Sequence, residues 1–404
     1  MKSLKIIFLI SILLILSACG QNTAGTPEKD VDAKEEGMPQ VGDLEIGEID
    51  TTKQSVELSY LTLPTEMTQG DDGNCYYVRE KGENKIVFYR NDGKEVIESK
   101  FKGDLEDIER FVKYKNHIYV LILWPKGVTS HQLASIDIKT GEWEYLFRLN
   151  AHSGLQIFFY GDSIYCREDD SSDVIYYNLQ GKKMGVWKMD QYLKHLQMIV
   201  DGKIYYTEST LTSGEEKKPG KNYISSCNLD GTEAKELVSY ERLGPVDGKH
   251  FLFYSNQMAM DDKYIYMLED YEETSSYLYR IPMKGGEIEK VTDRLIYDYK
   301  LNDSNIYFID DDCLYKMSQD LTEETKIFDE EPISNFYFAG EYLMLEGYDE
   351  EAWDDIYDSW DDEIGVDYTP DYYLVTLDGE LVKKLEGTDV KYTGHHPGEE
   401  KWFE

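Results

Sequence analysis

Basic residues are scarce in this chain. Its 404 residues carry 42 Lys and Arg against 80 Asp and Glu, a formal net charge of -38. A surface of that sign repels phosphate backbones, which excludes nucleic acid as a partner, and it gives no electrostatic grip on anionic lipid. Long apolar runs are missing beyond the first residues. Cysteine is sparse: apart from Cys19 there are Cys75, Cys166, Cys227 and Cys313, none in a C-x-x-C pair, so zinc and thioredoxin-like chemistry have no motif. Catalytic signatures are absent too. There is no G-x-S-x-G, no H-E-x-x-H, no Walker loop and no dinucleotide fingerprint, and the seven His are scattered. No enzyme activity is expected.

Tyrosine is abundant, with 34 residues, and it marks a repeat. Seven short units recur at intervals of roughly forty to sixty residues. They are Cys75-Tyr76-Tyr77, Ile118-Tyr119-Val120, Ile164-Tyr165-Cys166, Ile204-Tyr205-Tyr206, Ile265-Tyr266-Met267, Ile306-Tyr307-Phe308 and, less faithfully, Tyr342-Leu343-Met344. Each precedes a polar hairpin, a second apolar run such as Ile86 to Tyr89 or Tyr372 to Leu377, and a tight turn such as Asp230-Gly231 or Asp378-Gly379. Units this small cannot bury their own apolar faces and must stack on neighbours. The expectation is an all-β, seven-bladed β-propeller, with six or eight blades as alternatives. Tyrosine rings should fill the gaps between blades, with hydroxyls reaching water. The segment Ser55 to Leu63 alternates like a strand, and Val56, Leu58 and Tyr60 are expected on one face of a strand that completes the last blade.

The N-terminus has the form of an export signal, with Lys2 and Lys5 ahead of the apolar run from Ile6 to Leu16. The run is too short for a permanent transmembrane helix. Leu16-Ser17-Ala18-Cys19-Gly20 follows it and resembles the lipobox of bacterial lipoproteins. That resemblance implies a lipidated Cys19 as the first mature residue and a place on the outer face of a bacterial cytoplasmic membrane; the Lys, Ile and Tyr usage fits a Gram-positive source. Two or more acyl chains would hold the protein there stably. Residues 20–50 are rich in Glu, Asp, Lys, Gly and Pro and read as a tether, leaving 51–404 as the propeller. In an exported protein the four remaining cysteines can pair, but they are expected as thiols filling strand positions.

Ile204-Tyr205-Tyr206-Thr207-Glu208, Ile306-Tyr307-Phe308-Ile309-Asp310 and Asn228-Leu229-Asp230-Gly231-Thr232 resemble the Tyr-Trp-Thr-Asp repeats of low-density-lipoprotein-receptor-type propellers. The whole of 51–404 looks like their exported bacterial, TolB-like relatives. The resemblance implies a ring that binds a protein or glycan and has no catalytic residues.

Two insertions interrupt the spacing, one over residues 209–221 and one over 346–371. The second holds twelve acidic residues and no Lys or Arg. Trp353, Ile356, Tyr357, Trp360 and Ile364 fall on one face of a short helix, with Asp354, Asp355, Asp358, Asp361 and Asp362 mostly on the other. Trp353, Tyr357, Trp360, Asp354, Asp358 and Asp361 are the candidate partner-binding residues. No cofactor is expected. Calcium is the one ion with clustered oxygen ligands, at Asp169-Asp170-Ser171-Ser172-Asp173 and Asp310-Asp311-Asp312, though neither is an EF-hand loop. The expected function is a lipid-anchored, non-catalytic binding or scaffolding module; the alternative is a carbohydrate-active hydrolase or lyase, which needs only two facing carboxylates.

Overall fold

A computed structural model describes residues 40–58, 67–80, 85–100, 108–123, 130–150, 155–167, 173–188, 194–209, 221–241, 258–272, 275–302, 304–347, 366–368, 371–385 and 390–392. Every regular element among them is a β-strand. Seven antiparallel sheets, each contributing four strands in chain order, form a seven-bladed propeller. Blade 1 spans residues 67–98, blade 2 108–150, blade 3 156–187, blade 4 194–241, blade 5 258–290, blade 6 298–328 and blade 7 333–385.

The repeat units all occupy second strands, such as Cys75–Glu80, His117–Leu123 and Asn305–Asp310. This position is the most enclosed in a blade, with a strand on either side and a blade against each face, so both faces must be apolar. Tyr76, Tyr119, Tyr165, Tyr205, Tyr266 and Tyr307 are all buried there. Seven apolar clusters result, one in each seam between adjacent blades. The tyrosine hydroxyls do not simply reach water. Tyr114 donates to the Gly161 carbonyl at 3.0 Å, Tyr119 to that of Leu179 at 3.4 Å and Tyr307 to that of Leu377 at 3.2 Å, each crossing to the next blade. A buried hydroxyl needs a partner, and the neighbour's turn supplies one.

Turns joining third to fourth strands demand a left-handed residue. Gly231 takes it in blade 4 at φ 79°, whereas blade 6, whose Gln319-Asp320 turn lacks glycine, places Leu321 there at φ 61°. None of Cys75, Cys166, Cys227 and Cys313 is in a disulfide; the first three are buried and Cys313 is partly exposed.

The expected closing strand takes a different place. Blade 7 already has four strands of its own, ending with Leu381–Leu385, so it has no vacancy. The segment containing Val56 and Leu58 instead joins blade 3, while Tyr60 lies outside the described residues. This segment is the end of a strap. Its strand β1 (Gln40–Val41) pairs with Gly286 and Glu287 at the edge of blade 5. Leu44 then enters the seam between blades 4 and 5, and its amide donates to the Met283 carbonyl at 2.9 Å. Lys53 meets Asp201 in a turn of blade 4 at 3.2 Å. Strand β2 (Val56–Glu57) finally pairs with Phe159 and Phe158 on the inner edge of blade 3, and Leu58 is buried in the seam between blades 2 and 3. Residues 40–50, which the sequence places in the tether, are therefore part of the ring assembly.

Among the described residues no strand is exchanged between blades 1 and 7, and the two meet by packing. Met67, Cys75 and Tyr77 of blade 1 meet Ala339, Met344 and Tyr372 of blade 7. The Gly340 amide donates to the Gly73 carbonyl at 2.8 Å and the Cys75 thiol to that of Phe338 at 3.4 Å.

Candidate functional site: the central cavity

The first strand of each blade lies nearest the axis, and several carry polar side chains, such as Thr68, Arg110, Asp298 and Lys300, that line the channel. There they surround a cavity of about 890 Å³. Blades 1, 2, 5, 6 and 7 form its wall on one side, and strap residues Thr51 to Leu58 form the other. Turn residues Asp71, Asp261, Asp262 and Asn302 also line it, so it extends to the rim where first strands turn into second strands.

Charge is concentrated on a few neighbouring residues. Asp298 and Lys300 are two apart on one strand and so share a face, and the Lys300 ammonium lies 2.5 Å from one Asp298 oxygen. That ammonium also sits over the rings of Phe336 and Tyr337 at 4.8 and 4.7 Å, joining blade 6 to blade 7. Burial alone would lower the Lys300 pKa; Asp298, Tyr337 and Cys75 together hold it above its usual value. Asp298 is only 7% exposed, and its second oxygen has no partner. On the strap side, burial pushes the Glu57 carboxyl up to about 8, against the pull of Lys300, and its Oε1 also lacks a partner. The Glu57 residue as a whole is only half-buried. On the second strand of blade 7, burial raises Glu346 to about 7, partly offset by Arg110, another cavity-lining side chain. Burial and then Arg167 depress His195 to about 4, so its ring is neutral near pH 7.

None of these residues was singled out in the sequence. The one signal was the opposite-charge pair Asp298 and Lys300 in a strand whose neighbours are apolar, and it does not show which way the pair points. The sequence-derived candidates Trp353, Asp354, Tyr357, Asp358, Trp360 and Asp361 lie outside the described residues, as does Cys19. Their insertion leaves the ring at Gly347 and returns at Asp371; of its inner part Val366–Tyr368 is described, paired with Val390–Tyr392. At the suggested calcium positions, Asp310 receives the Arg294 guanidinium at 2.6 Å, and Asp311 and Asp312 form a left-handed hairpin turn at φ 47° and 61°. Asp169 to Ser172 lie outside the described residues. Among the described residues no three His, Cys, Asp or Glu side chains gather as a metal set.

No described protein family matches the chain, and no curated protein does. Solved structures that resemble it include the β-propeller domain of the Trilobed protease from Pyrococcus furiosus, at 12% identity and a TM-score of 0.43 over 87% of this chain and 99% of that one. BamB from Moraxella catarrhalis has 9% identity and a TM-score of 0.39, over 81% of this chain and 94% of that one. Dipeptidyl peptidase 4 from Porphyromonas gingivalis has 11% identity and a TM-score of 0.42, over 81% of this chain; the match spans about half of the peptidase, 54%.

Proposed function

We propose that this propeller is a non-catalytic binding module, held by a lipid on Cys19 at the outer face of a bacterial membrane, which presents its acidic, aromatic insertion to a protein partner. The observation that carries this reading is the placement of two chain segments on opposite rims. The strap meets the ring at turns between first and second strands and between third and fourth strands, at Asp201 and Met283. Gly347 and Asp371, which bracket most of the insertion, lie where a second strand ends and a third begins, at the other rim. The strap and the strand ends that bracket the insertion thus meet the ring at opposite rims. A loop set on a rigid ring is a usual place for recognition.

The rival, a carbohydrate-active hydrolase or lyase, needs two carboxyl groups free to face a sugar. In the cavity Asp298 is engaged by Lys300. A glycan partner on the insertion stays compatible with its tryptophans. The test is photo-crosslinking on intact cells with a benzophenone side chain at position 353 or 360, alongside a chain lacking residues 349–368. One cell-surface protein should crosslink at both positions, and it should be lost on co-purification with the shortened chain. Co-purification of the same partners with the shortened chain would overturn this site. Cys19→Ala should release the protein from the membrane fraction; if it stays, the anchor is not a lipid on this residue.

A further inference from the structure

We infer that the central cavity is a binding site for a small organic polycation, an alkyl diamine or polyamine. This goes beyond the partner reading above and is independent of it, since it concerns the channel and not the insertion.

The reasoning starts from unmet hydrogen-bonding capacity. Asp298 is more than nine-tenths buried and lines the cavity; one carboxylate oxygen holds Lys300, and the other, Oδ1, has no partner. On the strap, Glu57 is half-buried and also lines the cavity, and its Oε1 has no partner. Burying a carboxylate oxygen without a donor costs several kcal/mol in principle, so such atoms point to a missing group that donates. Asp298 Oδ1 is an acceptor, and the Glu57 carboxyl becomes purely one when it gives up its proton, so a group that only donates complements both.

Charge selects the same class. Five carboxyl side chains line the cavity, Glu57, Asp71, Asp261, Asp262 and Asp298, against two bases, Arg110 and Lys300. The chain as a whole is strongly acidic, so the potential in a low-dielectric channel favours a cation and rejects an anion. A metal ion is a poor match. Calcium and magnesium want six or more oxygens converging at short range, and no set of three ligating side chains occurs among the described residues. An ammonium needs fewer contacts and accepts aromatic walls. Phe111, Tyr299, Tyr337 and Phe338 line the cavity, and Lys300 already rests against Phe336 and Tyr337. A volume of about 890 Å³ far exceeds one ammonium group, which argues for an extended chain with a second nitrogen. That nitrogen would lie toward Asp261 and Asp262 at the mouth. Asp261 is already engaged by the Tyr266 hydroxyl at 2.9 Å, leaving exposed Asp262 the more available.

The site carries a proton signature. Near pH 7 Glu57 keeps its proton, and a cation beside it favours the ionised form. Binding should therefore expel a proton and tighten as pH rises toward 8. The titratable and charged groups that share the cavity with Glu57 are Asp298, Tyr299 and Lys300 of blade 6, Arg110 of blade 2, Tyr337 of blade 7, and Asp71, Asp261 and Asp262 at the mouth; of these Lys300 acts on it directly. Ordinary surface carboxylates are fully ionised by about pH 6 and give no such dependence.

The experiment is calorimetric titration of the full chain with spermidine at about 0.15 M salt, at about pH 6.5 and 8.5 and in two buffers of different ionisation heat. One saturable site is expected, roughly tenfold tighter at the higher pH, with proton release. Glu57→Gln and Asp298→Asn should each weaken it at least about tenfold, and Glu57→Gln should also flatten the pH dependence. Asp329→Asn, on the exposed surface, should change nothing. If Asp298→Asn fails to fold, Glu57→Gln decides alone, since it keeps the shape of the protonated side chain. Absence of a saturable site would overturn the inference. So would many weak sites that the two cavity variants leave unchanged, which is plain attraction to an acidic surface. Variant-sensitive binding of magnesium or of a neutral trisaccharide, with none of spermidine, would overturn the ligand class.

Discussion

Glu57 shows how a single side chain can work against the fold that holds it. Its carboxyl is raised from the ordinary 4.5 to about 8 because burial disfavours the charge, so the folded chain keeps a proton that the unfolded chain gives up. Below about pH 4.5 both states carry the proton and the cost is absent. As pH rises from there toward 8 the unfolded state gains, and above about 8 the penalty is complete. Glu57→Gln, which imitates the protonated group, should leave stability unchanged near pH 4 and raise it by on the order of 2 kcal/mol near pH 9. Urea unfolding at the two pH values measures this. An equal effect at both would mean that the carboxyl is not buried as described. The residue was invisible in the sequence, where it is one of 80 acids, because nothing local marks an acid that will meet Lys300 from the other end of the chain. The tyrosines were legible for the opposite reason. Tyr119 and Tyr307 sit between apolar neighbours in a strand, and only enclosure on both faces makes that pattern affordable.

At the scale of elements, second and third strands could be read from apolar runs and the turns that follow them. Ile86–Arg90 and Asp371–Thr376, for example, agree with their expected positions almost to the residue. The strap could not be placed in this way. Alternation around Val56 marks a strand, but edge strands of every blade offer the same backbone groups, so pattern alone does not choose between blade 7 and blade 3. Contacts made far from Val56 make the choice, and Gly285 is the most exacting of them. At φ 79° it has a left-handed backbone, and a Cβ there would lie 2.8 Å from the Gly42 carbonyl carbon and 2.9 Å from the Asp43 nitrogen. Gly285→Ala should therefore lift β1 off blade 5 and cost roughly 2 kcal/mol or more. Limited proteolysis should then cut within residues 40–58, where the unaltered protein resists. Equal resistance in the variant would show that the strap does not depend on this approach.

For the whole molecule, the question is what keeps a ring shut when, among the described residues, no strand is shared between its first and last blades. In six seams the chain itself passes from one blade to the next, so loss of side-chain packing leaves the blades tethered. In the seventh, blades 1 and 7 meet through the cluster of Met67, Tyr77, Met344 and Tyr372 and the Gly340 to Gly73 hydrogen bond. Equal damage should therefore have unequal consequences. Met344 in this seam and Met267 in the seam between blades 4 and 5 are both at most 1% exposed, and truncating either to Ala should cost about 2–5 kcal/mol. Met267→Ala should lower global stability and leave the order of amide exchange unchanged. Met344→Ala should in addition give fast exchange confined to Met67–Gln69, Cys75–Glu80 and Tyr342–Gly347, because this seam can open without unfolding the other blades. If the two variants give the same exchange pattern, closure is shared around the ring, and the strap, which runs from the rim of blade 5 past blade 4 to the inner edge of blade 3, becomes the better candidate for what holds it shut.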